Sequence, residues 1–544
     1  MNLFNAIFNE QSASSVAIVY ENARITYADL QEQPLKIAAV LDRLGITAGE
    51  RVALLLNDSP EFIASFIAIC ASRAIAVPIN MGLQLDEQRA ILNDCTARLA
   101  IVEEDICNNL LTNAREQLHA LEKVIVVGRN KNDSAAKTSN GLKEFGHKQS
   151  GETEVYGFVQ LISDTGGQLG STFPEPEENE AAFILYTSGS TGEPKGAIHC
   201  QTDIFYTNQT YCKEVLGLRP GDRVFSSSRL PFAYGLGNSF TFPLLNGITT
   251  ILCREKPTPE VIARILREHK PAVFFGVPVI YNLLLDHHRR GNELDCSSLR
   301  LCVSAGEALP AQLGEEWERT FGVEVLDGIG STEMSHMFIS NHSGDVRYGS
   351  SGKLLNGYDA RLLDQEGNPT PDGEVGNLWV RGKSAARGYW KKAEATNRTF
   401  VDGWVRTGDL YMRDTEEFWF HKGRSDDCFK SSGQWVSPVE VEGAVLRHQS
   451  VSRAAVVEDF DKNGLPCACA FVICNDSRVN LEQVENELRA LLKESLPRFK
   501  QPRRYVFVDE LPYTATGKIQ RFKLREQLKK SANTEPGAIA TALN

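Results

Sequence analysis

One stretch constrains this chain more than any other. Ala181-Ala-Phe-Ile-Leu-Tyr186 is an apolar run of strand type, and it leads straight into Thr187-Ser-Gly-Ser-Thr-Gly-Glu-Pro-Lys-Gly196. Three glycines, four Ser or Thr hydroxyls and a lysine fall between Tyr186 and Gly196. Glycine allows the tight turn and close backbone approach by which several N–H groups converge on one anion, and lysine adds a positive charge. A buried strand that empties into such a loop is built to hold phosphate. The Walker register does not fit, because after four intervening residues from Gly189 the chain has Pro194-Lys195 where that pattern requires Gly-Lys. A flexible Gly/Ser linker fits no better, since it would not sit flush against a strand with a lysine inside it.

The surrounding chain alternates short β-branched runs with helical stretches. Arg51-Val-Ala-Leu-Leu-Leu, Ala74-Ile-Ala-Val-Pro, Arg98-Leu-Ala-Ile-Val, Lys123-Val-Ile-Val-Val and Ala272-Val-Phe-Phe read as strands of parallel α/β layers. Phe62 to Ala71 reads as a buried helix capped by Ser59 with Pro60 in its first turn, too short to span a membrane. Residues 128–180 are polar and aperiodic, which predicts a long exposed insertion ahead of the phosphate loop. Past Arg424 the texture becomes α+β: Arg453-Ala-Ala-Val-Val, a turn at Asp461-Lys-Asn-Gly464, a run from Leu465 to Cys474, then a helix with Leu481, Val484, Leu488, Leu491 and Leu492 on one face. At 544 residues more than one core is expected. The fold class is therefore α/β: a large N-terminal domain of layered α/β subdomains over 1–424, a small mobile α+β domain over 425–530, and a flexible tail over 531–544.

Further motifs follow the loop in order. Asp327-Gly-Ile-Gly-Ser-Thr-Glu333 succeeds a Val-Glu-Val-Leu strand; Tyr389-Trp390 closes an Arg-Gly-Tyr-Trp element; Gly403-Trp-Val-Arg-Thr-Gly-Asp409, Gly423-Arg-Ser-Asp-Asp427 and Thr516-Gly-Lys518 come after. Six motifs in this order resemble the adenylate-forming superfamily of acyl-CoA synthetases, nonribosomal adenylation domains and luciferases, over nearly the whole chain. The resemblance implies a two-step reaction: a carboxylate attacks the α-phosphate of ATP and expels pyrophosphate, then a thiol attacks the acyl-adenylate and expels AMP. The first step brings two anions together, so it requires cations and oriented N–H dipoles.

By the same resemblance, Thr187, Ser188, Gly189, Ser190, Thr191, Gly192 and Lys195 hold the β,γ-phosphates. Glu333, beside Thr332, and Thr187 ligate Mg²⁺. Asp409 and Arg424 take the ribose, and adenine lies between Gly306-Glu307-Ala308 and the strand leading to Asp327-Gly328. Lys518 bridges carboxylate and α-phosphate. A hinge at Asp426 exchanges Lys518 for Gly433-Gln434-Trp435, which serve the thiol step.

The acid is read from Leu230-Pro-Phe-Ala-Tyr-Gly-Leu-Gly-Asn238. Amino-acid adenylation domains carry an aspartate in this region to pair with the substrate ammonium. Here stand Ala233 and Tyr234, and an ammonium buried without a partner would cost several kcal/mol. Tyr234 followed by the Gly235-Leu-Gly237 turn suggests a short, aromatic-lined pocket. With Phe274-Phe-Gly-Val-Pro278, Asp327 to Phe338 and Ser432-Gly-Gln-Trp-Val-Ser-Pro438, the segment looks like the benzoate–CoA ligase family of aryl-CoA ligases. That resemblance implies an aryl ring walled by Ala233, Tyr234, Ala305, Gly328, Ile329 and His336. The thiol belongs to coenzyme A or to a phosphopantetheinyl carrier protein. Carrier loading and a non-catalytic nucleotide-binding role remain as alternatives.

Composition agrees. A net charge of −12 argues against a nucleic-acid surface and confines any anion site to a local pocket. The twelve cysteines show no metal-ligand spacing and read as buried thiols of a reducing cytoplasm, and the N-terminus has no signal-peptide pattern. Monomer and homodimer are equally compatible with the sequence.

Overall fold

The computed structural model describes the chain except residues 10, 114–117, 129–152, 166–172, 189–192, 462, 477, 514–518 and 534–544. It divides into two compact units, one of residues 1–360 and 380–406, the other of 361–379 and the described residues from 407 onward. The strand pair carrying Asp409 and Arg424 falls in the second unit, whereas the sequence motifs suggested a boundary just after Arg424.

The first unit is built on two sheets. One runs, in spatial order, Lys353–Leu354, Met337–Ser340, Val325–Gly330, Leu301–Ser304, Val273–Gly276, Arg223–Ser226, Thr249–Leu252, Val16–Tyr20, Ala23–Thr26. Its middle strands, from Val325–Gly330 to Val16–Tyr20, are parallel. The other runs Glu154–Gly157, Lys123–Val127, Leu99–Glu103, Arg51–Leu55, Ile75–Pro78, Ala181–Ser188, Pro194–Cys200, parallel except for its last pair. All five β-branched runs named above are strands of these sheets. Strands buried on both faces need no polar alternation, which is why they read as continuous apolar runs. The helix Pro60–Ala71 has Ser59 accepting from Phe62 N at its N-cap and is buried along its whole length from Phe62, as its sequence demands.

One expectation changes. Within 128–180, Glu154–Gly157 pairs in parallel with Lys123–Val127, and the helix Phe158–Ser163 buries Phe158 and Leu161 in the core. A four-residue edge strand and a two-residue apolar stripe are too short to stand out from polar flanks, so the stretch read as wholly exposed.

The second unit has a hairpin, Val451–Phe460 with Pro466–Cys474, joined by Arg504–Phe507 and covered by the helices Pro438–Val445, Leu481–Ser495 and Arg521–Asn533. On Leu481–Ser495 the buried stripe is Val484, Leu488 and Leu492; Leu481 is 45% exposed because it precedes that stripe at the first helical position. No cysteine is in a disulfide, and no described helix is long and apolar enough to cross a membrane.

Candidate active site

In open α/β sheets ligands gather beyond the carboxyl ends of the strands. Motif residues of the first unit lie there. Leu301–Ser304 ends in Ala305 and the loop Gly306-Glu307-Ala308, with Gly306 at φ +91°, and Ser304 is level with Asp327 on the neighbouring strand. Oδ1 of Asp327 and Oγ of Ser304 are buried without a hydrogen-bond partner among the described residues. Burial pushes the Asp327 carboxyl up to about 8, with the backbone N–H groups of Leu309 and Gly328 and the nearby Ser304 hydroxyl only partly offsetting it. Such buried polar atoms are completed by water or by a bound ligand. Beyond Asp327, Gly328 has no room for a side chain: a Cβ there would stand 2.8 Å from both Ile339 O and Met337 Sδ.

Thr187 and Lys195 face each other across the antiparallel pair Ala181–Ser188 and Pro194–Cys200. Gly189, Ser190, Thr191 and Gly192 lie outside the described residues, and Ser188 closes the first strand of the pair. Nζ of Lys195 is 5.7 Å from the centre of the Tyr389 ring, and the Tyr389 hydroxyl donates to Glu333 Oε1 over 2.6 Å. Glu333 and Thr332 are in the short 3-10 turn Thr332–Met334, half-buried. The segment around Tyr389 is strapped to the edge of Pro194–Cys200 by Arg387 N to Ile198 O, Ile198 N to Gly388 O and Trp390 N to Gly196 O. A lysine, a phenol and a carboxylate thus converge at the root of the glycine-rich hairpin. The sequence motif held Tyr389 but gave it no role; only its contact with Glu333 does.

Tyr234 stacks on His336 at 5.8 Å and meets Phe275 edge-on at 6.3 Å, with its hydroxyl donating to Val303 O. Ala233 is half-buried beside it and Gly235 is fully buried, since a Cβ on Gly235 would overlap Arg229 O. His336 packs against Tyr211 at 5.0 Å and Phe242 at 4.6 Å, and burial pushes its imidazole down to about 3, leaving it neutral. Ala305 is buried, and Ile329 is half-buried in Val325–Gly330. Upstream, buried Asp58 accepts from Leu230 N at 3.0 Å and so anchors the Leu230–Asn238 segment.

In the second unit Asp409 is opposite Arg424 in the pair Trp404–Arg413 and Trp419–Arg424. Arg424 donates to Asp409 Oδ1 at 3.1 Å and to Thr407 O at 2.9 Å. Burial works to raise the Asp409 carboxyl, but the His421 hydrogen bond and the Arg424 charge outweigh it and hold it at about 2, an ionised acceptor. Asp426 is exposed in the turn after Arg424. Ser432 and Gly433, at φ +53° and +78°, form the two-residue turn between Phe429–Ser431 and Gln434–Val436, a primed hairpin geometry. Trp435 on that hairpin is 41% exposed, with Nζ of Lys430 5.2 Å from its ring centre. Lys518 lies outside the described residues.

A family model described as AMP-binding enzyme matches residues 6–390, and one described as AMP-binding enzyme C-terminal domain matches 440–518. The chain belongs to the AMP-binding enzyme family. Among curated members it is 39% identical over 489 residues to the benzoate–CoA ligase of Thauera aromatica, covering 90% of this chain and 88% of that one. It is 34% identical to the 4-hydroxybenzoate–CoA/benzoate–CoA ligase of Rhodopseudomonas palustris, covering 97% and 94%. Solved structures agree: the anthranilate CoA ligase AuaEII in complex with anthranoyl-AMP superposes with a TM-score of 0.87 at 35% identity, covering 98% of each chain. A benzoate CoA ligase from Burkholderia xenovorans LB400 gives 0.84 at 36%, covering 96% and 100%. The mixed α/β architecture, a large N-terminal part and a smaller C-terminal one, is that of these AMP-binding enzymes.

Proposed function

We propose that this AMP-binding enzyme activates a small aromatic carboxylic acid with ATP and transfers the aryl group to coenzyme A, releasing pyrophosphate and AMP. The observation that carries the reading is the convergence of Lys195, Tyr389 and Glu333 at the glycine-rich hairpin, in a chain related along nearly all its length to aryl-CoA ligases. The residues fit the nucleotide. The partnerless Asp327 Oδ1 and Ser304 Oγ beside Gly306–Ala308 suit the edge of an adenine, and the ionised Asp409 suits ribose hydroxyls. Glu333 and Thr187 are hard oxygen donors, the kind that hold Mg²⁺ together with substrate phosphates. Such an ion neutralises charge on the phosphates when bound.

The chain's own groups do the rest. Lys195 offsets the phosphate charge, and Tyr389 fixes one oxygen of Glu333 so that the other stays available. Lys518 supplies a cation where the acid meets the α-phosphate; Asp426 is the hinge by which it gives way to Gly433-Gln434-Trp435 for the thiol step. The stacked Tyr234 and His336, with Ala233, Ala305, Gly328 and Ile329, receive a flat ring. Coenzyme A is favoured over a carrier protein because the relatives matched at both ends of the chain are CoA ligases.

The test is pyrophosphate exchange with benzoate, hydroxybenzoates, anthranilate and hexanoate, followed by thioester formation with CoA and with a phosphopantetheinyl carrier. Exchange with the aromatic acids and transfer to CoA are expected. A preference for hexanoate would sink the aryl assignment, transfer only to the carrier would sink CoA, and no exchange with any acid would leave a nucleotide-binding homologue without chemistry.

A further inference from the structure

His199 lies on the same strand as Lys195, four residues along, with no solvent exposure. Its ring stacks on Phe183 at 5.1 Å with 16° between the planes. Nδ1 is 2.9 Å from Oδ2 of Asp203, itself fully buried, and Nε2 is 2.8 Å from the backbone carbonyl of Thr332. Both neighbours are acceptors. Asp203 also receives Cys200 N at 3.1 Å and, on its other oxygen, Arg387 at 3.4 Å, as a carboxylate would. The Thr332 carbonyl can only accept, so Nε2 carries the hydrogen of that bond, while Asp203 braces the ring through Nδ1.

Thr332 precedes Glu333. The carbonyl of Glu333 accepts from Ala386 N at 2.8 Å, and its carboxylate accepts from Tyr389. The turn that presents Glu333 is thus held from one side by the segment 386–389 and from the other by the side chain of His199, rooted in the strand that starts beside Lys195. A buried donor on a stacked ring braced by Asp203 cannot swing as a surface side chain would.

We infer that His199, braced by Asp203, is a positioning residue for adenylation: through the Thr332 carbonyl it sets Glu333 at a fixed offset from Lys195 and the phosphate hairpin. The inference rests on the reading of Glu333 as the group that serves the ATP phosphates.

The experiment uses the full chain and two variants that split the geometry. His199→Gln places an amide N–H near the position of Nε2 and can still reach Thr332; His199→Asn ends near Nδ1 and cannot. In pyrophosphate exchange with benzoate, His199→Asn should lose about tenfold or more in kcat/KM for MgATP, the scale of leaving one buried hydrogen-bonding group unpaired. His199→Gln should recover most of that loss. Thioester formation from supplied benzoyl-adenylate should stay close to wild type in both. Added to Glu333→Gln, the Asn substitution should cost little more, because both act on one element. Apart from activity, nitrogen-15 NMR of imidazole-labelled protein, assigned by the signal lost in His199→Gln, should show a protonated Nε2. Equal losses for Asn and Gln, equal losses in both half-reactions, or full additivity with Glu333→Gln would overturn the positioning role. An unprotonated Nε2 in the wild-type spectrum would overturn it even if neither variant folds. Unchanged exchange in Glu333→Gln would instead remove the reading of Glu333, and the inference with it.

Discussion

The hydroxyl of Tyr389 donates to Oε1 of Glu333 over 2.6 Å while the face of its ring lies 5.7 Å from Nζ of Lys195. One side chain therefore links the cation of the phosphate hairpin to the carboxylate of the distant Asp327–Glu333 motif. Tyr389→Phe keeps the ring and removes the donor. Its expected effect is a rise in KM for MgATP of roughly tenfold to a hundredfold, the scale of one hydrogen bond to a charged group, with little change in transfer to CoA. Steady-state exchange at varied MgATP checks it, and an unaltered KM would mean the phenol does not hold Glu333 for its task.

Lys518→Ala should abolish adenylation while sparing thioester formation from supplied aryl-adenylate. Its charge matters only while two anions approach, so the loss belongs to one transition state. Assaying the half-reactions separately decides this; equal loss in both would refute the role.

Gly237→Ala tests the aromatic pocket without touching a nucleotide residue. A Cβ there would stand 2.5 Å from His336 Cδ2 and 3.0 Å from Phe242 Cε2, and His336 has no slack between Tyr211 and Phe242. Overpacking of this kind costs about 1 to 3 kcal/mol, and the displaced imidazole should lower kcat/KM for benzoate more than for hexanoate. ATP affinity measured alongside should hold. An unchanged ratio of the two acids would place the ring elsewhere.

Asp58 gives a pH prediction. Burial raises its carboxyl from 3.8 to about 6, against the lowering pull of Arg229 and of Leu230 N. A pKa raised on folding means the native state holds the proton more tightly. The associated stability is full below pH 3.8 and is lost as pH rises through 6. Asp58→Asn, neutral throughout, should gain on the wild type across that window by on the order of 2 to 3 kcal/mol and then run parallel above it. Denaturant melts from pH 4 to 8 read this directly, and parallel curves throughout would show that Asp58 is solvated.

Much of the scaffold was legible because the cues are local. The five β-branched runs became strands, and Ser59-Pro60 started its helix as capping chemistry requires. The edge strand Glu154–Gly157 was not legible, since four residues carry too little periodicity to rise above polar flanks. The twelve cysteines stay unpaired, with their thiols mostly buried.

By itself the sequence determined the inventory of the candidate site: a glycine-rich loop with its lysine, the acids Glu333 and Asp409, Arg424, and a Tyr234 segment with no acid in it. Order and spacing along the chain suffice for that, because each motif is a local choice of backbone freedom and charge. Tertiary structure alone decided which of these residues meet. That Tyr389 grips Glu333, that His199 reaches the carbonyl of Thr332, and that His336 fills the space glycine leaves at Gly237 all depend on contacts between segments far apart in sequence. Such contacts are fixed by how two sheets and their connecting turns pack, and no local propensity encodes them.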